Sequence, residues 1–121
     1  MGKKTVCLCW VIMILQVMFF TDMGYGFNTT DIQKVNSTNK CENCDLSNAN
    51  LSNVDMYGVN LSGANLSGAN LSKSAFEDAD LRGANLKGAN ISGASFSGAK
   101  LSDTIWVDGK KCKSGSIGKC K

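Results

Sequence analysis

Cysteine is the residue type with the most evident chemistry in this chain of 121 residues, which has six Cys and no His. Cys41 and Cys44 precede a long repetitive stretch, and Cys112 and Cys120 follow it. So many thiols in a small chain are typical of an oxidising compartment, in which they form disulfides. The absence of His removes the commonest general base and the commonest metal ligand.

Other reactive arrangements in this sequence are weak. The CENC segment at residues 41–44 resembles a redox C-x-x-C motif, but the βαβ pattern of a thioredoxin is missing. A zinc site is also disfavoured, because no His accompanies the Cys. The acidic residues Asp55, Glu77, Asp78 and Asp80 are expected to form a solvated face and not a cation site. The sequence therefore predicts no catalytic residue, no cofactor and no metal ligand, and the protein is not expected to be an enzyme.

Residues 1–26 have the layout of a secretory signal peptide. Two Lys near the start are followed by an apolar run over residues 6–20, and the small-x-small end is Gly24-Tyr25-Gly26. The run is short for a membrane span, which needs ~20 residues. We expect cleavage near Gly26 and an extracytoplasmic protein, either periplasmic or secreted. An uncleaved membrane anchor is the alternative.

Charge and polarity restrict the function further. The 13 Lys+Arg and 10 Asp+Glu give a net charge of only +3. A dedicated nucleic-acid binder usually has a strongly basic face, so we expect no nucleic-acid partner. Residues 27–43 are rich in Asn, Thr, Ser and Lys and have no sustained periodicity. We interpret them as a polar, flexible spacer.

A period of five residues governs the chain from residue 44 to residue 108. Thirteen large apolar residues lie at this spacing without a slip: Leu46, Leu51, Met56, Leu61, Leu66, Leu71, Phe76, Leu81, Leu86, Ile91, Phe96, Leu101 and Trp106. A small residue, most often Ala, lies two positions before each of them. Asn or Asp usually lies between the two, and Ser and then often Gly follow. Such self-similarity is the signature of a repeat architecture.

Backbone geometry indicates how each five-residue unit folds. A period of five fits neither an α-helix nor a continuous strand. In an extended segment, residues two apart point to the same side, so the small and the large residue of each unit face inward together. The Gly that follows tolerates φ > 0 and lets the chain turn. A chain that turns at regular intervals and buries one side winds into a solenoid.

The A-N-L-S-G units resemble those of the pentapeptide-repeat family, and the resemblance covers 65 of the 121 residues. It implies an all-β fold, a right-handed quadrilateral β-helix with four units per coil and an interior filled by the large and small residues. Thirteen units then make about three coils, and the rod is about 15 Å tall at ~4.8 Å per coil. Both ends of such a rod expose apolar core and unpaired backbone, so both need caps.

Four units per coil imply that residues 20 positions apart stack in columns. The columns are Leu46, Leu66, Leu86 and Trp106; Leu51, Leu71 and Ile91; Met56, Phe76 and Phe96; and Leu61, Leu81 and Leu101. Two Phe share the third column, where stacked rings contribute about 0.5–1.5 kcal/mol beyond burial. Outside the second column, Asn and Ser recur as a regular polar ladder. Such a face could bind ice, carbohydrate or another sheet, but we expect its Asn and Ser to satisfy the turns.

The rod implied by the resemblance also restricts how the cysteines pair. Its two ends are too far apart for a disulfide, which needs Cα atoms within about 7 Å. Cys112 is therefore expected to bond Cys120 and to close a C-terminal capping loop over residues 109–121. Inside this loop, Ile117 is expected to fold back under Trp106 and cover the core.

The pairing at the N-terminal end is less determined by the same reasoning. Cys41 can bond Cys44 locally, since pairing across the rod is disfavoured. Cys44 also occupies an inward, small-residue position of the repeat. A buried free thiol or an intermolecular bond at Cys44 therefore stays open as an alternative.

The expected function is that of a non-enzymatic structural or protein-interaction module with an unknown protein partner. An end-to-end homodimer is possible, and a membrane contact is expected only if the N-terminal segment stays uncleaved. The alternative is mimicry of DNA against type II topoisomerases, an activity that the family resemblance brings with it. That activity needs a long acidic rod in the cytoplasm, whereas residues 44–108 carry a net charge of only −3 and form a short rod.

Overall fold

The computed structural model describes residues 38–121 of the chain. The expected signal peptide at residues 1–26 and the first part of the expected spacer, residues 27–37, lie outside the described residues. Among residues 38–121, no helix has the length and apolar character that a membrane span requires.

The strands of this protein are single-residue bridges that recur at every fifth position. Ten parallel bridges each join residues 20 positions apart, from Lys40↔Asn60 to Asn85↔Ile105. Backbone hydrogen bonds connect neighbouring coils on both sides of each bridge: the Leu46 N–H donates to Asn65 O at 2.8 Å, and the Asn65 N–H donates to Cys44 O at 2.8 Å. The 20-residue spacing is the register that the family resemblance implies.

Tight turns at the corners separate the bridges. The third residue of each turn has a positive φ, as a type II turn requires, and these residues recur every five positions from Asn43 to Asp103. In a representative turn, the Ala49 N–H donates to Leu46 O at 3.2 Å and Asn48 has φ 60°. Gly occupies seven of these thirteen corners, whereas Asn, Asp or Lys73 accepts the left-handed conformation at the others.

The interior is an apolar core. Of the thirteen large residues at the repeat positions, eleven are buried, and Ile91 and Trp106 are partly buried and pack against the core. The rings of Phe76 and Phe96 stack with centroids 5.2 Å apart and an interplanar angle of 5°. Two polar residues occupy inward small-residue positions: the Thr104 hydroxyl donates to Leu81 O at 2.7 Å, and the Ser74 hydroxyl donates to Leu51 O.

The coil begins earlier than the sequence pattern indicated. Lys40 already pairs with Asn60, and Cys41 is 1% exposed at a large-residue position, five residues before Leu46. We expected the spacer to extend to residue 43. The difference arises because the half-cystine Cys41 fills the inward position that Leu fills elsewhere. The five-residue apolar period therefore extends to Cys41, which we considered only as a thiol.

The C-terminal segment folds back over the rod as an antiparallel strand. Lys111 pairs with Ile105, and Ile117 pairs with Lys100. The expectation that Ile117 covers the core is wrong: its side chain is 61% exposed, while Ser116 is 0% exposed. Bridge residues in this fold point outward and their neighbours point inward, so the bridge at Ile117 directs Ser116 toward the core. The Ser116 hydroxyl is satisfied there, since it donates to Lys113 O at 2.8 Å and accepts from the Lys121 N–H at 3.2 Å.

Candidate functional site

The four cysteines of the described chain form two disulfides, one at each end of the rod. The Cys41–Cys44 bond joins Cα atoms 5.2 Å apart, and the Cys112–Cys120 bond joins Cα atoms 4.9 Å apart. Cys44 is therefore not a free thiol in this structure. Residues 38–121 hold no group of three or more His, Cys, Asp or Glu side chains arranged to bind a metal ion.

Two of the four acidic residues in the patch predicted from the sequence, Asp78 and Asp80, accept hydrogen bonds from other side chains. Arg82 donates from Nε and Nη2 to both carboxylate oxygens of Asp80, at 2.8 and 2.6 Å, and this hydrogen bonding lowers the pKa of Asp80. The Tyr57 hydroxyl donates to Asp78 Oδ2 at 3.0 Å, which raises the pKa of the phenol. A carboxylate that already accepts from a guanidinium or a phenol has fewer lone pairs left for a cation.

The polar ladder on the second face is largely internally satisfied. Asn50 Oδ1 accepts from both the backbone N–H and the hydroxyl of Ser52, at 3.2 and 2.7 Å. Asn70 accepts in the same way from Ser72, at 3.1 and 2.8 Å. The amide oxygens are thus used inside their own turns, as Asx-turn chemistry dictates. These contacts favour a structural role for the ladder over a ligand-binding one.

At the C-terminal end of the rod, the tail pairs with two of the four faces and, within residues 38–121, leaves the other two without a neighbouring coil. The folded-back tail covers the faces of Leu101 and Trp106: Leu101 N–H donates to Ser116 O and Trp106 N–H donates to Lys110 O, both at 2.8 Å. On the other two faces, the amides of Ile91, Gly93 and Phe96 find no acceptor within the described part of the chain. We call this segment, residues 89–98, the open edge.

The open edge also exposes part of the core. Ile91 is partly buried, and Ala89 and Phe96 are each 8% exposed, whereas the equivalent residues one coil below are sealed. Trp106 leans across the end of the third column and meets Phe96 edge to face, with centroids 5.3 Å apart at 65°. The sequence shows where the apolar columns stop, since the positions 20 residues beyond Ile91, Phe96 and Leu101 are Lys111, Ser116 and Lys121. It does not show which of these faces the tail covers.

The comparisons with known proteins agree with this geometry. The sequence profile of pentapeptide repeats (8 copies) matches residues 40–72 and 64–103, which is more than half of the chain. The chain belongs to the pentapeptide-repeat family. This match confirms the family resemblance that the five-residue repeat indicated. Proteins of this family form right-handed quadrilateral β-helices and are generally non-enzymatic structural or interaction modules.

Solved structures similar to this pentapeptide-repeat protein include HetL from the cyanobacterium Nostoc sp. strain PCC 7120, a pentapeptide repeat protein involved in heterocyst differentiation regulation. The two share 36% identity over 60% of this chain and 34% of HetL, with a TM-score of 0.56. The pentapeptide repeat protein Rfr23 from Cyanothece 51142 shares 34% identity over 54% of this chain and 48% of its own, with a TM-score of 0.35. The chain therefore spans less than half the length of either protein. A search of curated proteins finds no match.

Proposed function

We propose that this protein is an exported, non-enzymatic module that binds a partner protein through the open edge. The organisation is that of a signal peptide at residues 1–26, a spacer, a rod of about three coils and a C-terminal cap closed by Cys112–Cys120. The spacer and the rod meet near residue 40, where the bridges begin. The open edge supports the proposal, because it offers amides without an acceptor among the described residues, beside partly exposed core residues.

An extended peptide segment is the chemistry that fits such an edge. Main-chain groups of an added strand satisfy the free amides, and alternate side chains of that strand contact the exposed core. The amides of Ile91, Gly93 and Phe96 would bond the partner backbone, and its apolar residue would cover Ile91. The five lysines of the tail, at positions 110, 111, 113, 119 and 121, favour acidic residues in the same segment.

Pairing of two copies through the C-terminal end is opposed by the charge of the tails. End-to-end contact would place five lysines of one copy against five of the other, so we propose that a homodimer forms only when salt or an anion screens these charges. DNA mimicry has no support in residues 38–121, since the rod is short and its exposed end is basic rather than acidic.

A peptide-display experiment tests the use of the open edge. Random peptides are selected on the oxidised wild-type protein and then measured against two variants with the same added charge. Ile91→Lys changes a side chain of the edge that packs against the core, and Ser92→Lys changes an exposed side chain on the outer face of the same edge. We expect the selected peptides to be rich in β-branched and acidic residues, to lose binding to Ile91→Lys and to keep it to Ser92→Lys. Peptides that bind both variants equally would show that the edge is not the docking surface. Circular dichroism controls for the fold of each variant.

Export requires a separate experiment, because a cytosolic protein could use the same edge. A C-terminally tagged full-length chain is expressed in a secretion-competent host, and the mass of the protein in each fraction is measured. We expect an extracytoplasmic product that begins near Phe27 and has its four remaining Cys oxidised. Ile14→Arg interrupts the apolar run and should abolish export. Recovery of the full-length chain from the cytosol alone, with free thiols, would contradict export.

A further inference from the structure

A pocket of about 570 Å³ lies at the C-terminal end of the rod, beside the open edge. It is lined chiefly by Trp106 and five lysines: Lys110, Lys111, Lys113, Lys119 and Lys121. This volume lies within the range of small-ligand sites, which is about 300–1,000 Å³. The tail lysines also favour acidic residues in a peptide at the open edge, but no residue of 89–98 lines this concave surface, so a strand paired with that edge would not fill it.

The pocket carries a strong local charge that the protein does not neutralise. Asp108 is the acidic residue of the lining, so the side chains of five lysines and one aspartate contribute a charge of +4. Lys111 Nζ lies 3.5 Å from Asp103 Oδ1, but both side chains are more than 60% exposed and such pairs are weak. Within residues 38–121, no carboxylate lies within ion-pair distance of the other four ammonium groups. An anion that enters the pocket therefore meets unpaired positive charge.

The backbone that carries these lysines is fixed before any ligand arrives. The Cys112–Cys120 disulfide closes the loop, and the Lys113 N–H donates to Lys121 O at 3.0 Å. On the other side of the pocket, the Lys110 N–H donates to Asp108 Oδ1 at 3.0 Å. A flexible basic tail loses backbone entropy when it binds, whereas here only the side chains have to become ordered.

Trp106 gives the pocket an aromatic wall. Its indole is held edge to face against Phe96 at 5.3 Å, and it is only partly buried, so part of the ring remains available to a ligand. An aromatic ring packs well against a flat, weakly polar surface such as the C–H face of a sugar. The lysines surround the indole and can reach charged groups at the rim of that sugar.

The identity of the cations distinguishes between classes of anion. Arginine presents a fixed fork that matches one phosphate or carboxylate, whereas lysine is a point charge on a flexible stem. Five lysines and no arginine thus suit a polymer whose charges recur at variable positions. Single-stranded nucleic acid is usually held by several successive aromatic platforms in a long basic groove. Here one indole lies at the end of a rod whose repeats, residues 44–108, carry a net charge of −3.

We propose that this pocket binds an acidic polysaccharide, a chain of pyranose rings that carry carboxylate or sulfate groups. One ring packs on Trp106, and the anionic groups of that ring and its neighbours contact the ammonium groups of Lys113, Lys119 and the other tail lysines. The interaction does not require export or a peptide partner at the open edge.

Binding is measured with the oxidised full-length chain in a Trp10→Phe background, in which Trp106 is the sole tryptophan. The probes are oligogalacturonate as the carboxylate polymer, dextran sulfate as the sulfate polymer, neutral dextran, and oligothymidylate of matched charge. We expect one or both acidic polysaccharides to change Trp106 fluorescence and to bind more tightly than oligothymidylate, with an affinity that falls as salt is raised. Neutral dextran should not bind measurably.

Two double variants remove the same charge from different places. Lys113→Gln with Lys119→Gln should weaken polysaccharide binding about fivefold to tenfold, whereas Lys40→Gln with Lys73→Gln should change it by less than about twofold. All four side chains are exposed, and circular dichroism checks that both proteins fold alike. Equal losses in the two double variants, an unchanged Trp106 emission, or binding of oligothymidylate as tight as that of the polysaccharides would overturn the proposal.

Discussion

The stacked pair Phe76 and Phe96 allows a quantitative test of the inward assignment. Phe76 is 0% exposed and lies one coil inside the rod, whereas Phe96 is 8% exposed under Trp106 at the end. Truncation of a buried Phe to Ala costs about 3–5 kcal/mol, and the value depends on how far the site can collapse. We expect about 4 kcal/mol for Phe76→Ala, because coils above and below hold its cavity open. Phe96→Ala should cost only about 2–3 kcal/mol, because Trp106 can settle into the space.

Two milder variants complete the series, one in the core and one on the outer face. Phe76→Leu keeps most of the volume and should cost about 1–1.5 kcal/mol, part of which is the lost contact between the rings. Ser72→Ala, on the outer face, removes the hydroxyl that donates to Asn70 and should cost about 0.5–1.5 kcal/mol.

Urea denaturation of the oxidised protein provides the assay, with circular dichroism for the whole rod and Trp106 fluorescence for its C-terminal end in a Trp10→Phe background. Phe96→Ala should shift the fluorescence transition more than the circular dichroism transition, because solenoids can lose their ends first. A Phe96→Ala variant less stable than Phe76→Ala, or a Phe76→Ala loss of under about 1 kcal/mol, would refute the assignment of Phe76 to a sealed interior.

Three further predictions concern the cap, the ion pair and a strained corner. Reduction, or Cys120→Ser without reductant, should loosen the tail and expose the rod end. In a buffer whose salt screens the tail lysines, light scattering should therefore show more association than for the oxidised wild type. An unchanged mass would mean that the disulfide does not hold the cap. Arg82 lowers the pKa of Asp80, so the stability from this pair is present above the ordinary aspartate range and is lost as pH falls through the lowered pKa. The stability difference between wild type and Arg82→Gln should therefore shrink in acid, and a difference independent of pH would exclude this linkage. Lys73 has φ 58°, so Lys73→Gly should be more stable than the charge-matched Lys73→Ala by about 1 kcal/mol in thermal denaturation, and equal stabilities would show that the corner is unstrained.

Most of the rod was predictable because its physics is local and repeated. A five-residue period with small and large residues two apart determines which side chains face inward, and a Gly or Asn two positions after the large residue marks each corner. The stacking of Phe76 on Phe96 follows once the 20-residue register is known, since the two residues lie one register apart. The family resemblance supplied that register, which the period alone does not determine.

The ends were harder to predict because the period stops there. Cys41 was considered only as a disulfide-forming residue. Its spacing of five residues from Leu46 also predicts that its side chain points inward, as the structure shows. In the tail, hydropathy favoured Ile117 as the buried residue, yet the antiparallel pairing with Lys100 exposes it and buries Ser116. The direction in which a tail folds back depends on backbone pairing and on the Cys112–Cys120 bond, and neither leaves a hydropathy signal. The end of every column could be read from the sequence, but the two faces that the tail leaves open could not.

The 20-residue pairing makes each five-residue unit one quarter of a revolution about the rod axis. Insertion of a single unit between Asp80 and Leu101 would leave every turn intact, yet it would rotate the lysine-lined tip by about 90° relative to the acidic residues below it. Insertion of four units would restore the original orientation and only move the tip outward by ~4.8 Å. The number of units thus determines the orientation of the tip about the rod axis. Related chains with different numbers of repeats would present the same tip residues in orientations that differ in steps of about 90°.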